Sequence, residues 1–392
     1  MMYKLRFING LFVLFLFLTF VSCTNESRGQ EDEKKRVFIS TDMAAGLVGG
    51  WRAGPPDTDD SWAVELISTY AGSVVEGAAV VRGNDLQPAE LYAAKRTFIE
   101  TPGFWNGPIF AGGIEPLPAP DPVTWTGDAG SPVTLLELCV NEGVLALADL
   151  LARSKVPVTI LAIGPFTDIA CLVQNFPEVL HPIKEVVFLG GRAPNQVLKY
   201  PFSDVVFTDF NIAQDLRATQ IILEASDIPV TFITFSLSSS ALYTRAQIDS
   251  LQLPGCSERA MLLSRASQAS MNSLEQGLNL NGLDTFDINA AYYVAKPEVF
   301  KCEDAGYKFV ECAIGTPGVY NGANNPCAGH GPDQGSGLNG ESQQLWVDPS
   351  YVGESRTVNS CISYINEEEL ERFERGTIQV FCDGHAWTVL PD

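Results

Sequence analysis

Short apolar runs alternate with segments of helical periodicity along most of the chain. Residues 37–41 form a mostly apolar run ending at Asp42 and predict a buried strand. After Asp59-Asp60, the residues Ala63, Leu66, Ile67 and Tyr70 recur at helical spacing. Residues 73–81 predict the next strand, which ends at Arg82-Gly83-Asn84, and 88–100 a helix. A short strand over 108–111 follows, then a helix over 135–152 and a strand over 156–163 ending in Gly164-Pro165. The alternation continues with helix 167–175, strand 185–189 ending in Gly190-Gly191, helix 215–225 and strand 229–233. Asp287 opens a further helix through Ala290, Ala291 and Val294. Late strands are expected over 377–381, where Ile378 and Val380 alternate with Thr377 and Gln379, and over 386–390. This order predicts an α/β fold: a mostly parallel central sheet with helices on both faces and the site at the carboxyl ends of the strands.

With 392 residues, 46% of them hydrophobic, the chain can bury a large core. A single domain over 37–392 is expected, with an irregular Gly/Asn/Pro-rich loop over 315–342. The formal net charge of −22 excludes a nucleic-acid backbone or an anionic membrane surface as partner. It suits metal cations or a neutral small molecule. At the N-terminus, Lys4 and Arg6 precede an apolar run over 11–21 that is too short to span a bilayer. Residues 1–23 therefore read as a signal segment, either of lipoprotein type with a lipid on Cys23 or an ordinary secretory one, and 24–36 as a polar tether. An exported protein is implied, periplasmic or extracellular, with membrane contact only through a lipid at Cys23. Eight cysteines remain beyond Cys23, five of them after residue 300, where at least one disulfide is expected.

The polar residues at successive strand ends are Asp42, Asp59-Asp60, Asn84, Asp209-Phe210-Asn211 and Asp287. A lone Asp at a helix start is ordinarily a cap. Several carboxylates converging on one sheet edge repel unless a cation sits among them, and an all-oxygen set suits Ca²⁺ or Mg²⁺.

These segments, in this order, resemble the inosine–uridine-preferring nucleoside hydrolase family. Ser40-Thr41-Asp42 and Asp59-Asp60 resemble the two ends of its D-x-D-P-G-x-D-D motif, with Ser40 in place of the first Asp. Gly83-Asn84, residues 108–117, 163–170 and 187–191, Asp209-Phe210-Asn211 and the Asp287 helix resemble its later motifs. The resemblance implies a Ca²⁺ held by Asp42, Asp60, Asp287 and the backbone carbonyl of Ile163. It also implies that Asp59, Asn84, Asp209 and Asn211 hydrogen-bond the ribose of a small-molecule nucleoside. Water activated by the cation, with Asp42 as general base, would attack the anomeric carbon and release the base. Family members are often dimers or tetramers, so a homo-oligomer is compatible with the resemblance.

The chain departs from the family in four places. Residues 43–58 separate Asp42 from Asp59, where the family commonly has three; this Gly/Pro-rich insertion reads either as a lid or as an outward bulge. Asp57 offers a competing alignment to Asp42 but follows no strand. Phe286 stands where many members place the histidine that protonates the leaving base. Phe286, with Trp125, either stacks on a purine base or packs in the core. Asp209 replaces a Glu, and the family's Gly-Asn before that segment has no clean match. The function expected is an exported, purine-leaning ribonucleoside hydrolase. The alternatives are a hydrolase of another N-riboside or glycoside, or a non-catalytic Ca²⁺-stabilised binding protein of the same fold.

Overall fold

The computed structural model describes residues 34–44, 58–101, 103–117, 139–198, 209–224, 227–278, 282–311 and 343–391. The signal segment, tether residues 24–33, insertion residues 45–57, Trp125 and the 315–342 loop lie outside the described residues. In chain order the elements begin with β1 (Lys35–Thr41), α1 (Asp59–Thr69), β2 (Ser73–Val80), α2 (Gln87–Phe98), β3 (Ile109–Ala111) and α3 (Glu142–Arg153). Then come β4 (Val158–Ala162), α4 (Thr167–Asn175), β5 (Ile183–Leu189), α5 (Phe210–Gln214), α6 (Leu216–Glu224), β6 (Val230–Ile233) and α7 (Phe235–Ser238). The chain continues through β7 (Leu242–Thr244), α8 (Arg245–Ser250), α9 (Glu258–Leu278), β8 (Gly282–Asp284) and α10 (Phe286–Ala295). It ends with β9 (Phe300–Glu311), β10 (Gln343–Asp348), β11 (Val358–Tyr364) and α11 (Glu367–Asp383).

Nine strands form one sheet in the order β10-β9-β11-β6-β5-β4-β1-β2-β3. Pairing is parallel wherever βαβ connections build it, from β3 across to β6, and β11 joins β6 in parallel. Within this sheet, among the described residues, only β9 is antiparallel, to β10 and β11, and β7 and β8 form a separate antiparallel pair. The strands read as nearly continuous apolar runs because both faces are covered. On β1, Val37 and Ile39 enter one core and Phe38 the other; on β5, Val187 enters the first and Val186 and Phe188 the second. Helices α1, α9, α10 and α11 pack on the first face, and α3, α4 and α6 on the second.

The chain runs outward from β1 through β2 to β3, then returns to β4 on the other side of β1 and runs outward again through β5 to β6. The strand order therefore reverses between β1 and β4. In open α/β sheets that reversal leaves a crevice at the carboxyl ends, because the two neighbouring connections leave in opposite directions. Asp42 follows β1 and Ile163 follows β4, directly at this point.

The late strands expected from the sequence are not formed. Residues 377–381 belong to α11, which Asn366 caps by accepting from the Glu369 N–H at 2.9 Å. Phe373, Thr377, Val380 and Phe381 are its buried face, so the apparent alternation is a fragment of a helical repeat. Within 386–390 only Trp387 makes a strand-like bridge, to Tyr70. Of the helix expected over 135–152, Glu142–Arg153 form α3, which Asn141 caps by accepting from Val144 N–H at 2.9 Å, while residues 135–138 lie outside the described residues.

Among the described residues, three disulfides join Cys139 to Cys171, Cys256 to Cys382 and Cys302 to Cys361. The last lies in the region after residue 300 where a bridge is expected, and ties β9 to β11. Cys256 and Cys382 are 126 residues apart in sequence, so their bridge closes the longest loop of the three. On a chain-entropy account, replacing this pair by Ser lowers stability by about 5 kcal/mol at most. The expected result is a lower urea midpoint with a steeper slope, because the uncrosslinked unfolded chain exposes more surface; an unmoved midpoint contradicts it.

Candidate active site

Two helix N-termini meet at the carboxyl edge of β1. Asp59 and Asp60 open α1, and Asp287 lies in the first turn of α10. One carboxylate oxygen from each lies within 4.8 Å of the others, and all three residues are buried. The Oδ2 of Asp59 accepts the backbone N–H of Asp287 at 3.0 Å, so an acid of one helix caps the other. Oδ1 of Asp60 accepts from the hydroxyl of Thr41, the last residue of β1. Helix N-termini favour negative charge, but the mutual repulsion of three buried carboxylates is larger than such caps offset. An all-oxygen, buried, multiply anionic set is the donor chemistry of a hard divalent cation.

Asp42 stands beside this group, 1% exposed. Two glycines leave room for its carboxylate. A Cβ on Gly83 would come within 1.9 Å of its Oδ2, and one on Gly164 within 3.0 Å of its Oδ1. The half-buried Asn84 donates from Nδ2 to the Asp42 carbonyl at 3.2 Å. The Ile163 carbonyl faces the same crevice and accepts from Asn211 Nδ2 at 3.4 Å, while that nitrogen also donates to Leu189 O at 3.2 Å. Asn211 thus spans the ends of β4 and β5.

Asp209, at the start of α5, accepts the Gly191 N–H at 2.7 Å through Oδ2. Gly191 has φ +80°, a left-handed conformation that suits glycine, and a Cβ there would press on Val347 and Phe232. Burial pushes the Asp209 carboxyl up to about 6, against the opposing pull of the Gly191 N–H and the Arg192 charge. Phe286 is half-buried, its ring centroid 5.8 Å from that of Phe235, which follows β6.

The structure therefore brings together Asp42, Asp59, Asp60, Asn84, Ile163, Asp209, Asn211, Phe286 and Asp287 at one end of the sheet. Asp59 stands in the three-carboxylate group with Asp60 and Asp287, while Asp42 packs alongside in the glycine-lined niche. Three neighbours were not singled out by the sequence reading: Phe235, Arg192 and Glu90. The first two directly follow strand ends and carry the same positional signal as Asp42. Glu90 looks in sequence like an ordinary first-turn helix acid. His181 precedes β5 at the opposite, amino end of the sheet.

The sequence pattern of the inosine-uridine preferring nucleoside hydrolases matches residues 54–364. The chain belongs to that family. It is a hydrolase acting on the N-glycosyl bond of ribonucleosides. The match begins after β1 and does not include Asp42. A non-specific ribonucleoside hydrolase of Salmonella typhimurium is 24% identical over 272 residues, 66% of this chain and 76% of the relative. One of Escherichia coli O127:H6 is 29% identical over 162 residues, 40% of this chain and 47% of the relative. Among solved structures, the fold is similar to a purine-preferring ribonucleoside hydrolase from Gardnerella vaginalis, with TM-score 0.60, 16% identity, and 89% and 99% of the two chains covered. It is also similar to an inosine-uridine preferring nucleoside hydrolase from Bacillus anthracis, with TM-score 0.53, 18% identity, and 89% and 99% covered.

Because nothing larger than a hydrogen fits between Gly83 and the Asp42 carboxylate, Gly83→Ala must displace that carboxylate. The expected loss is about 100-fold in the rate of base release with the circular dichroism spectrum unchanged. A rate within threefold of the parent would show that the niche is not needed.

Proposed function

We propose that this protein is an exported, Ca²⁺-dependent ribonucleoside hydrolase with a purine preference. The observation that carries the reading is the buried Asp59, Asp60 and Asp287 group beside Asp42 at the point where the strand order reverses. Asp42, Asp60, Asp287 and the Ile163 carbonyl would hold the cation, with Asp59 in the same carboxylate group as Asp60 and Asp287. Bound there, calcium would supply positive charge that acidifies a water and orients it beneath the sugar. Asp42 accepts the proton of the attacking water as its oxygen bonds to the anomeric carbon and the C–N bond breaks. The ring passes through an oxocarbenium-like state, whose positive charge the surrounding carboxylates stabilise. Asp59, Asn84, Asp209 and Asn211 hold ribose hydroxyls, a set that disfavours deoxyribose by leaving buried acceptors unpaired.

The leaving base departs with the bond's electron pair on the side of Phe286. Phe286, not a histidine, precedes Asp287 in the chain, and with Phe235 it offers a partly exposed aromatic wall. The wider face of a purine gains more from such a wall than a pyrimidine does. Export is supported by the N-terminal apolar run over 11–21 and by three disulfides among the described residues.

Release of free base from a panel of ribonucleosides tests this reading. Hypoxanthine is expected faster than uracil, activity is lost in a chelator and returns with Ca²⁺, and Asp42→Ala loses about 1,000-fold. Uracil released faster than hypoxanthine defeats the purine preference; release only from another N-riboside defeats the nucleoside assignment. Asp209 adds a pH signature. Above about 6 its carboxylate accepts a sugar hydroxyl as a charged partner, and below that value the charge is lost. KM is expected to rise as pH falls through 6, and Asp209→Asn to flatten that rise; identical profiles for the two proteins speak against it.

A further inference from the structure

The reaction as described leaves one carboxyl of this corner unused. Glu90 lies in the first turn of α2 and is fully buried, 0% exposed. An acid at this position ordinarily faces water, where it complements the helix dipole without being desolvated. Here its Oε1 accepts the backbone N–H of Asp85 at 2.5 Å. Its Oε2 is buried and has no hydrogen-bond partner among the described residues. The acidic groups that act on it through space are Asp42, Asp60 and Asp85. For folding alone this is an unfavourable placement. A buried carboxyl oxygen without a donor is destabilising, and so is like charge nearby.

What Glu90 holds is the turn that shapes the site. The chain leaves β2 at Val80 and enters α2 at Gln87, and among the contacts that fix the path between, three lie within the turn and its helix. Gln87 Nε2 donates to Val80 O at 3.2 Å, Leu86 N–H to Asp85 Oδ1 at 2.7 Å, and Asp85 N–H to Glu90. This turn carries Gly83, which abuts the Asp42 carboxylate, and Asn84, which donates to the Asp42 carbonyl. We infer that Glu90 is a positioning residue of the active site: by gripping the Asp85 amide it sets Asn84 and Gly83 against Asp42, at the expense of fold stability. The inference rests on the reading of Asp42 as base and Asn84 as sugar anchor.

A residue kept for stability and one kept for placement give opposite results on removal. Glu90→Leu fills the same space and removes the grip; Glu90→Gln keeps an oxygen that can accept from Asp85. The full chain is compared in three measurements: melting temperature in chelator, kcat and KM for inosine with saturating Ca²⁺, and hydrogen exchange at the Asp85 amide. Glu90→Leu is expected to melt at or above the parent temperature yet lose at least about tenfold in kcat/KM. Its Asp85 amide loses exchange protection. Glu90→Gln is expected to restore protection and to bring kcat/KM back within about threefold of the parent. The inference is overturned if Glu90→Leu keeps kcat/KM within twofold, if its activity falls only together with its melting temperature, or if Asp85 exchange does not change. If the parent cleaves no inosine, the proposed function fails, and the exchange and melting results still decide whether Glu90 grips the turn at the fold's expense.

Discussion

Negative charge gathered in one buried corner is the constraint around which this protein is arranged. Asp42, Asp59, Asp60, Asp287 and Glu90 all lie out of water at the carboxyl edge of β1 and β2. Each ionised carboxylate taken from water is unfavourable on its own, and each worsens the others through Coulomb repulsion in a medium of low dielectric. The protein supplies partial compensation: the N-termini of α1 and α10, the Thr41 hydroxyl, the Asp287 amide and the Asp85 amide. These are dipoles, not charges. A metal cation is the kind of partner that offsets this repulsion, and in the proposed reaction the same charge density stabilises an electron-poor sugar ring.

Holding such a corner together demands a rigid frame, and the frame is visible in α1. Every residue from Asp59 to Ile67 is buried. Trp62 packs edge-on against Phe381 with ring centroids 4.7 Å apart and donates from Nε1 to Ser267 Oγ at 3.0 Å. One turn further on, Glu65 pairs with Arg259, which also donates to the Gly384 carbonyl. Burial pushes Glu65 up to about 7 while the Arg259 charge opposes it, so this pair anchors α1 to α9 and to the end of α11. A helix so fixed along its length can carry two adjacent aspartates into a repulsive cluster without moving away from it.

Buried carboxyls recur as organisers elsewhere on this edge. Asp168 accepts from Gly113 N–H and from Asn141 Nδ2, both at 2.9 Å. Asp215 accepts from Leu117 N–H, the Thr167 hydroxyl and Ala218 N–H. Both tie the segment after β3 to helices of the second face, so the rim is held by acid-to-amide bonds as well as by apolar packing. A strongly acidic composition thus has two destinations: a solvated surface, and a set of internal anchors that each accept at least one backbone N–H.

The sequence by itself determined the parallel βαβ frame and the principal carboxylates, because both are written locally. Apolar runs of strand length mark β1 to β6, and an Asp or Asn directly after a strand falls at the sheet's carboxyl edge whatever the later packing. Asp42 was legible for that reason, and Asp60 and Asp287 as acids opening helices, with Phe286 next to the last of them. The tertiary structure decided what depends on contacts distant in sequence. Residues 377–381 alternate like a strand but form part of α11, because Phe373 and Phe381 find a core that only the folded chain provides. The antiparallel β9, β10 and β11 also carry no distinct local signal, their pairing being set by the exposed edge of β6. Most plainly, nothing in the sequence near Glu90 distinguishes it from a solvated helix acid. Its burial behind Asp42 follows from how the turn between β2 and α2 closes against β1, a contact between residues more than forty positions apart.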